Sequence, residues 1–274
     1  MKLLAGTYAA PFEEVDFKKH AAEAVQAINA WIAEQTAQRI RNMLSGLDKD
    51  TRLVLVNAVY FKGAWATEFG KGGTKPRPFH LRTGKSVDVF TMYVRTHLGY
   101  AHRDGFTAVV VPYLGGEVQL LVILPDQDKT LPSVEAALTP RLLATLARTK
   151  ARDIYLYLPK FKLAPPVASM GPMLQGLGLR RAFDPLVADF TRMAPVHEGE
   201  PPLVLSKVAH KAFIDVDEKG TEAAAATVAK LAYGGERRAP PKPIEVRVDR
   251  PFLFAIQHRA SGACLFLGRV VDPR

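Results

Sequence analysis

The chain has 274 residues, of which 48% are hydrophobic and 23% charged, and its formal net charge is +10. This length and composition are typical of a soluble globular protein with a large core, and they exclude an intrinsically disordered chain. The longest apolar runs, such as 53–59 and 120–124, are too short to cross a bilayer, so no membrane partner is expected.

The positive charge favours polyanions by long-range attraction. Lys and Arg nevertheless occur singly or in pairs, such as Arg180-Arg181 and Arg237-Arg238, and form no stripe with interleaved aromatic residues. We therefore expect no specific nucleic-acid partner. The single cysteine, Cys264, excludes an internal disulfide, and its apolar sequence context ACLFLG favours a buried structural role.

The first clear element is a helix over 17–44, because Val25, Ile28, Ile32 and further apolar residues keep a helical spacing. Residues 51–61, TRLVLVNAVYF, are typical of a long strand buried on both faces. Asn57 within that strand would then need a buried hydrogen-bond partner.

The rest of the chain alternates between strands and a few helices. Further helices are predicted over 131–148 and 167–177. Strand-like runs separated by Gly, Pro or Asp turns lie at 85–92, 98–102, 107–113, 118–125, 154–160, 203–214, 244–248, 251–258 and 264–271. This order predicts an α+β fold with large, mostly antiparallel sheets, since no regular βαβ alternation occurs.

The segment 218–243, EKGTEAAAATVAKLAYGGERRAPPKP, has two interpretations. Propensity alone predicts a short helix over 221–233, with Thr221 as N-cap and Gly234-Gly235 as its end. At a period of two, Glu222 and Lys230 instead share one face of a strand, and the other face carries only small or uncharged residues. A segment that fits both states is a candidate for a conformational switch.

No enzyme motif is present. The sequence lacks HExxH, GxSxG, GxxxxGK[ST] and any cysteine pair with zinc spacing, and its seven histidines are dispersed. We therefore expect no catalytic residue, no metal site and no cofactor, and an enzyme is not the favoured interpretation.

Several motifs resemble the serpin family of serine protease inhibitors, and they occur in the family's order. They are LVLVNAVYFKGAW (53–65), ILPD (123–126), LPKF (158–161), LSKVAHKAFIDVDEKGTEAAAAT (205–227), DRPFLFAI (249–256) and FLGRVVDP (266–273). The resemblance begins at about Val15 and implies the serpin fold as a single domain over 1–274, with packed helices and an exposed reactive-centre loop at about 218–243.

The resemblance also implies a missing N-terminal part and a location, and the composition indicates a source. Serpins carry further N-terminal helices and strands before the point at which this chain begins, so we expect an N-terminally truncated chain. The Ala-, Arg- and Pro-rich composition is typical of a bacterial protein. An extracellular location is expected from the family, although the N-terminus MKLLAGTYAA contains no convincing secretory signal.

The site residues follow from the same resemblance. Thr51 to Phe61 would be the strand of the central sheet beside which the loop inserts, and the helix that contains Trp31 would lie across that sheet. Asn57 and His210 match polar positions where the sheet opens and should share a buried network, and Trp65 matches the point where insertion starts. The hinge residues are Glu218, Gly220, Thr221, Glu222, Ala223, Ala224, Ala225, Ala226 and Thr227. Among these, Thr221 should be the first side chain to pass from solvent into the sheet.

The scissile bond has four candidate residues: Tyr233, Gly234, Arg237 and Arg238. Counting forward from Gly220 places the bond near Gly234, whereas counting back from Pro251 places it near Arg237-Arg238. We favour Arg237, because arginine suits a specificity pocket floored by a carboxylate. The expected partner is therefore a serine protease of trypsin-like specificity.

The implied function is inhibition of a serine endopeptidase as a suicide substrate, in which loop cleavage is followed by insertion into the central sheet and trapping of the acyl-enzyme. The expected state is a monomer that is able to polymerise. Two alternatives remain open: a non-inhibitory serpin that serves as a carrier, chaperone or storage protein, and an inactive fragment. The hinge of a non-inhibitory serpin would be expected to hold bulky, charged or proline residues. The run of small residues at 223–226 therefore argues against the carrier.

Overall fold

The computed structural model describes residues 14–193, 202–221 and 242–274. Within these ranges the α-helices are α1 (Ala21–Gln35), α2 (Leu131–Ala137), α3 (Pro140–Leu146) and α4 (Gly171–Gly176). The strands are β1 (Leu53–Tyr60), β2 (Gly63–Ala64), β3 (Lys75–His80), β4 (Ser86–Arg103), β5 (Phe106–Pro112), β6 (Val118–Pro125), β7 (Ala151–Pro159), β8 (Phe161–Leu163), β9 (Ala168–Ser169), β10 (Leu205–Asp217), β11 (Gly220–Thr221), β12 (Ile244–Arg247), β13 (Phe252–His258) and β14 (Cys264–Val270). The predicted α+β class is confirmed.

The chain divides into two compact units. The first comprises Met1–Tyr60 and Leu163–Phe213, and the second comprises Phe61–Lys162 and Ile214–Arg274. Strand β10 therefore contributes its first nine residues to one unit and its last four to the other. The single domain over 1–274 expected from the sequence stays a prediction.

In the first unit, β10 is the central strand. It pairs in parallel with β1, in a register that places Asn57 opposite His210, and it pairs antiparallel with β9. Helix α1 and the segment after it cover one face of this sheet, because Ile32, Ile40 and Met43 pack in one core cluster with Ala209 and Phe213 of β10. The expectation that the helix containing Trp31 lies across this sheet is thus confirmed.

The predicted helix over 17–44 is shorter in the structure. Helix α1 ends at Gln35, and Ala37 and Gln38 adopt positive φ angles of 48° and 65°. The hydroxyl of Thr36 accepts a hydrogen bond from the backbone N–H of Ile40, at 3.1 Å, and so fixes the turn after the helix. Ile40 and Met43 are still buried, but they reach the core from an irregular segment.

Strand β1 is not buried on both faces, contrary to the sequence prediction. Leu55 retains 53% of its exposure, and Asn57 is also exposed. On the opposite face, Val54, Val56 and Ala58 pack against the core cluster that contains Ile32 of α1. Within the described residues only one face of the strand packs against a core. The prediction of burial on both faces was wrong because the apolar side chain of Leu55 is exposed.

The second unit is built on a sheet with the order β12-β7-β4-β5-β6-β13-β14, and β3 pairs with β4 outside that path. Its neighbours are antiparallel except for the parallel pair β12–β7. Helices α2 and α3 pack on one face, where Val134 and Leu146 join Leu121, Ile123 and residues of β13 in a core cluster. The mostly antiparallel sheet predicted from the strand runs is confirmed.

Four local predictions were wrong in detail. The helix over 131–148 is two helices, because Pro140 cannot continue a helix and the Thr139 hydroxyl caps a new one. The runs 85–92 and 98–102 are parts of one strand, β4. Residues 167–177 form β9 followed by the short α4. Cys264 is exposed, since residues of β14 next to it also retain exposure.

Candidate functional site

The candidate site surrounds the end of β10, where the chain turns into β11. Val216 pairs with Thr221 and Asp217 with Gly220, and on its other side β11 pairs with β2. The Asp217 carboxylate accepts hydrogen bonds from the backbone N–H groups of Lys219, at 2.8 Å, and Gly220, at 3.3 Å. The first hinge residues are therefore a paired strand, and the exposed loop expected from residue 218 onward does not begin there.

Gly220 occupies a position that other residues cannot fill. Its φ is +151°, and a Cβ added there would lie 2.1 Å from the carbonyl oxygen of Gly63 in β2. Any side chain would push β11 away from β2, because displacing a backbone carbonyl oxygen of a paired strand carries a high energetic cost. This close backbone approach fixes the pairing of β11 with β2.

Thr221 is fully buried, with no exposed surface. Its hydroxyl lies 2.7 Å from the phenol oxygen of Tyr113, which is itself 2% exposed. Burial raises the pKa of Tyr113 well above its ordinary range, and the hydrogen bond with Thr221 opposes only part of that rise. The expectation that Thr221 starts in solvent was therefore wrong: strand pairing with β2 and this hydrogen bond already bury it.

Trp65 lies beside this contact. Its indole ring stacks on Tyr113 with centroids 4.5 Å apart and planes 14° apart, and it is 2% exposed. The indole N–H donates to the carbonyl oxygen of Asp217 at 2.8 Å, and the backbone N–H of Trp65 donates to Lys219 at 2.9 Å. Trp65 thus holds the turn between β10 and β11. Its role as the starting point of insertion stays a prediction.

Glu218 is held by an ion pair with Lys160. The ammonium group lies 2.9 Å from the carboxylate, whose side chain is 11% exposed. Burial opposes ionisation of this carboxyl, but the hydrogen bonds from Lys160 and from its own backbone outweigh it, so the pKa of Glu218 is below its ordinary value. The backbone carbonyl of Glu218 also accepts the N–H of Phe69 at 2.9 Å.

Asn57 and His210 meet on neighbouring strands. The Nδ1 atom of His210 lies 2.8 Å from Oδ1 of Asn57, so this imidazole nitrogen carries the proton in the bonded state. The predicted contact is present, but the predicted burial is wrong, because Asn57 is exposed and His210 is half-buried. Their role in holding the sheet closed stays a prediction.

The remaining predicted site residues lie outside the described residues. They are the hinge residues Glu222, Ala223, Ala224, Ala225, Ala226 and Thr227 and the scissile-bond candidates Tyr233, Gly234, Arg237 and Arg238. In the part of the chain that the structure describes, no group of three or more His, Cys, Asp or Glu side chains could hold a metal ion. No helix there is both long and apolar enough to span a bilayer.

Sequence reasoning missed Tyr113 and Lys160. Lys160 belongs to the LPKF motif, but nothing in that motif pairs it with Glu218, which is 58 residues away. Tyr113 is the last residue of the predicted strand 107–113, and its sequence neighbours Pro112 and Leu114 carry no polar side chain that would mark it. Both roles come from the tertiary fold alone.

These features define a class of protein. It is an α+β protein in which β10 pairs in parallel with β1 and then turns into β11, and Trp65 holds that turn by a hydrogen bond to Asp217. The serpin family model, described as serine protease inhibitor, matches residues 1–273, and the chain belongs to this family. It is 38% identical over 277 residues to Serpin B6 of Macaca fascicularis, covering 97% of this chain and 70% of that protein.

Two further comparisons extend this result. An uncharacterized serpin-like protein of Thermococcus kodakarensis is 36% identical over 268 residues, and the match covers 97% of this chain and 61% of that protein. The structure of thyroxine-binding globulin in complex with thyroxine matches with a TM-score of 0.82 at 28% identity, over 98% of this chain and 70% of that one. The chain thus spans about two thirds of the length of these relatives.

The comparisons support the family and leave the source open. The two sequence relatives come from a primate and an archaeon, so they do not support the bacterial source expected from composition. The extracellular location likewise stays a prediction.

Proposed function

We propose that this chain inhibits a serine protease as a suicide substrate. The observation that carries the proposal is the direct parallel pairing of β1 with β10, together with the position of the predicted loop immediately after β10 and β11. A strand that turns back from the end of β10 would run antiparallel to β10. If it entered between β10 and β1, it would be antiparallel to both.

Such an insertion is energetically reasonable. It replaces one parallel pair by two antiparallel pairs, and antiparallel pairing is slightly more stable per residue. The residues 221–233 would span about 43 Å as a strand at about 3.3 Å each, which would carry a tethered protease far from the point of cleavage. Their alternating small, uncharged side chains suit the interior face of a sheet.

Insertion must separate β1 from β10. Neighbouring strands lie about 4.8 Å apart, so a new strand between them places them roughly 9.6 Å apart. The Asn57–His210 hydrogen bond, at 2.8 Å, cannot survive that separation. We assign these two side chains the role of a latch that keeps the sheet closed until the loop is cut.

The trapping step follows from the chemistry of the protease. The scissile bond, for which we favour Arg237, would be attacked by the serine of a trypsin-like enzyme, and the acyl-enzyme would be displaced before water hydrolyses it. Distortion of the protease that removes its oxyanion-hole geometry slows hydrolysis of the acyl-enzyme by about 10²- to 10³-fold. The inhibitor is thereby consumed in a covalent complex.

Brief trypsin treatment tests the proposal. We expect the first cut within 233–238, detected by mass spectrometry, and an increase in the thermal unfolding midpoint of the cut chain, because the freed segment gains strand pairing. A first cut elsewhere would refute the loop assignment. A cut at the expected place without an increase in midpoint would refute insertion.

A second candidate function is a carrier. It is favoured by the similarity to thyroxine-binding globulin, whose structure contains thyroxine. A carrier would bind a small apolar ligand and would be cut by the protease without trapping it. The yield of a covalent complex with the protease therefore separates the two candidates.

A further inference from the structure

The hairpin turn between β13 and β14 brings a serine hydroxyl onto a histidine. The hydroxyl oxygen of Ser261 lies 2.7 Å from Nδ1 of His258, and the backbone N–H of Ser261 donates to the same nitrogen at 3.4 Å. A ring nitrogen that accepts a backbone N–H carries no proton of its own, so Nδ1 is able to accept the hydroxyl proton. Ser261 is exposed, and the hydroxyl is therefore accessible to a small reagent.

Backbone contacts hold this pair in place. The N–H of His258 donates to the carbonyl oxygen of Ala263 at 2.9 Å, and the N–H of Gly262 donates to the carbonyl oxygen of His258 at 2.8 Å. Gly262 has a φ of +72°, a left-handed conformation in which other residues are strained. The N–H of Ala263 also donates to the hydroxyl oxygen of Ser261 at 3.2 Å. The serine hydroxyl is thus oriented toward the imidazole before any reagent binds.

The surroundings of the turn suit a carbonyl group that gains negative charge. Arg259 lies within the turn, and a guanidinium nitrogen of Arg148 donates to the carbonyl oxygen of Ala260 at 3.0 Å. Both arginines and His258 line a cavity of about 680 Å³. Glu117 adds a carboxylate to this lining, and the two arginines leave it with a net positive charge. Positive charge beside an attacked carbonyl stabilises the oxyanion, and the cavity has room for the rest of a small ester.

We infer that Ser261 is a nucleophile that takes an acyl group from small activated carboxylic esters, with His258 as its general base. The Ser261 oxygen attacks the carbonyl carbon while its proton passes to Nδ1 of His258. A bond forms between this oxygen and the acyl carbon. The bond from that carbon to the leaving oxygen breaks, and the leaving group departs with the electron pair as an alkoxide or phenolate. The imidazole then releases its proton to the leaving group or to water, which leaves an acyl ester on Ser261.

The geometry predicts one acylation per chain with slow turnover. Among the described residues, Nε2 of His258 has no hydrogen-bond partner, so no carboxylate orients the ring or stabilises its protonated form as in a catalytic triad. Hydrolysis of the acyl ester needs the same imidazole to activate water and is therefore slow. The inference does not depend on the proposed protease inhibition, because neither residue belongs to the predicted loop or to the sheet that would receive it.

The probe is 4-nitrophenyl acetate, incubated with the whole chain for increasing times. Digestion and mass spectrometry then measure the acetyl group on each serine, and fragmentation of the peptide distinguishes Ser261 from the exposed Cys264. Ser133 is the internal control. Its hydroxyl is also exposed and also forms a hydrogen bond of 2.7 Å, but it donates that bond to the carbonyl oxygen of Thr130 and has no base beside it.

We expect Ser261 to be acetylated at least about 100-fold faster than Ser133, because general-base assistance contributes about 10²- to 10⁴-fold. His258→Gln should slow acetylation of Ser261 by about 100-fold and leave the rate at Ser133 unchanged. The matched control is His80→Gln, which removes an exposed histidine of the same unit away from this turn and should leave both rates unchanged.

Two results would overturn the inference. Equal rates at Ser261 and Ser133 in the parent chain would show that the turn does not activate its serine. An unchanged rate at Ser261 in His258→Gln would show that the imidazole is not the base. Because the two serines are compared within one unmodified chain, a variant that fails to fold does not prevent the test.

Discussion

The buried contact between Thr221 and Tyr113 should anchor the start of the loop, and a double-mutant cycle measures its strength. Thr221→Val keeps the shape of the side chain but removes the hydroxyl that lies 2.7 Å from the phenol oxygen. Because Tyr113 is 2% exposed, its hydroxyl would then be buried without a partner, which costs about 1–3 kcal/mol. Tyr113→Phe should have a comparable effect, since it leaves the Thr221 hydroxyl unpaired.

The double variant, Thr221→Val with Tyr113→Phe, should be more stable than the sum of the single effects predicts. Both polar groups are then absent, and replacing two paired groups by apolar groups of the same shape is nearly neutral. Urea unfolding of the four proteins gives the coupling free energy, which we expect at about 1–2 kcal/mol. Single effects that simply add would show that the hydrogen bond contributes nothing to the anchor.

Three further predictions concern the neighbouring contacts. Glu218→Gln should lower the free energy of unfolding at pH 7. Because the pKa of Glu218 is lowered in the folded chain, its contribution is present above the ordinary value of 4.5 and is lost as the pH falls through the lower folded pKa, so parent and variant should converge in acid; a pH-independent difference would contradict the charge argument. His210→Ala should lower the free energy of unfolding by about 0.5–1.5 kcal/mol, since the hydrogen bond that it removes is exposed, and it should promote polymers on heating, seen by gel filtration. An unchanged midpoint without polymers would refute the role of this pair as a latch. Gly220→Ala should reduce amide protection in β11 and β2, measured by hydrogen exchange, because its Cβ meets a carbonyl oxygen at 2.1 Å; unchanged protection would mean that the strands tolerate a side chain there.

The family and the order of the elements could be predicted because they depend on local patterns. Apolar runs bounded by turn residues marked the strands of the second unit, and helical spacing marked α1. The irregular turn after α1 was missed, because it depends on Thr36 bonding to Ile40 and on two non-glycine residues with positive φ. No composition rule indicates such a turn.

The site could be predicted only where a motif carried it. The contact between Asn57 and His210 was expected, but its exposure was not, since burial depends on what covers a strand. The anchored state of Thr221 depends on Tyr113, which is 108 residues away in sequence.

The most direct test of the account is whether the chain traps a protease covalently. The chain is mixed with trypsin at equal concentration, and the products are separated by denaturing electrophoresis and identified by mass spectrometry. We predict a complex that survives denaturation and joins the protease serine to the residue at the cut, together with loss of protease activity. A chain that is fully cleaved while the trypsin keeps its activity would contradict inhibition by loop insertion.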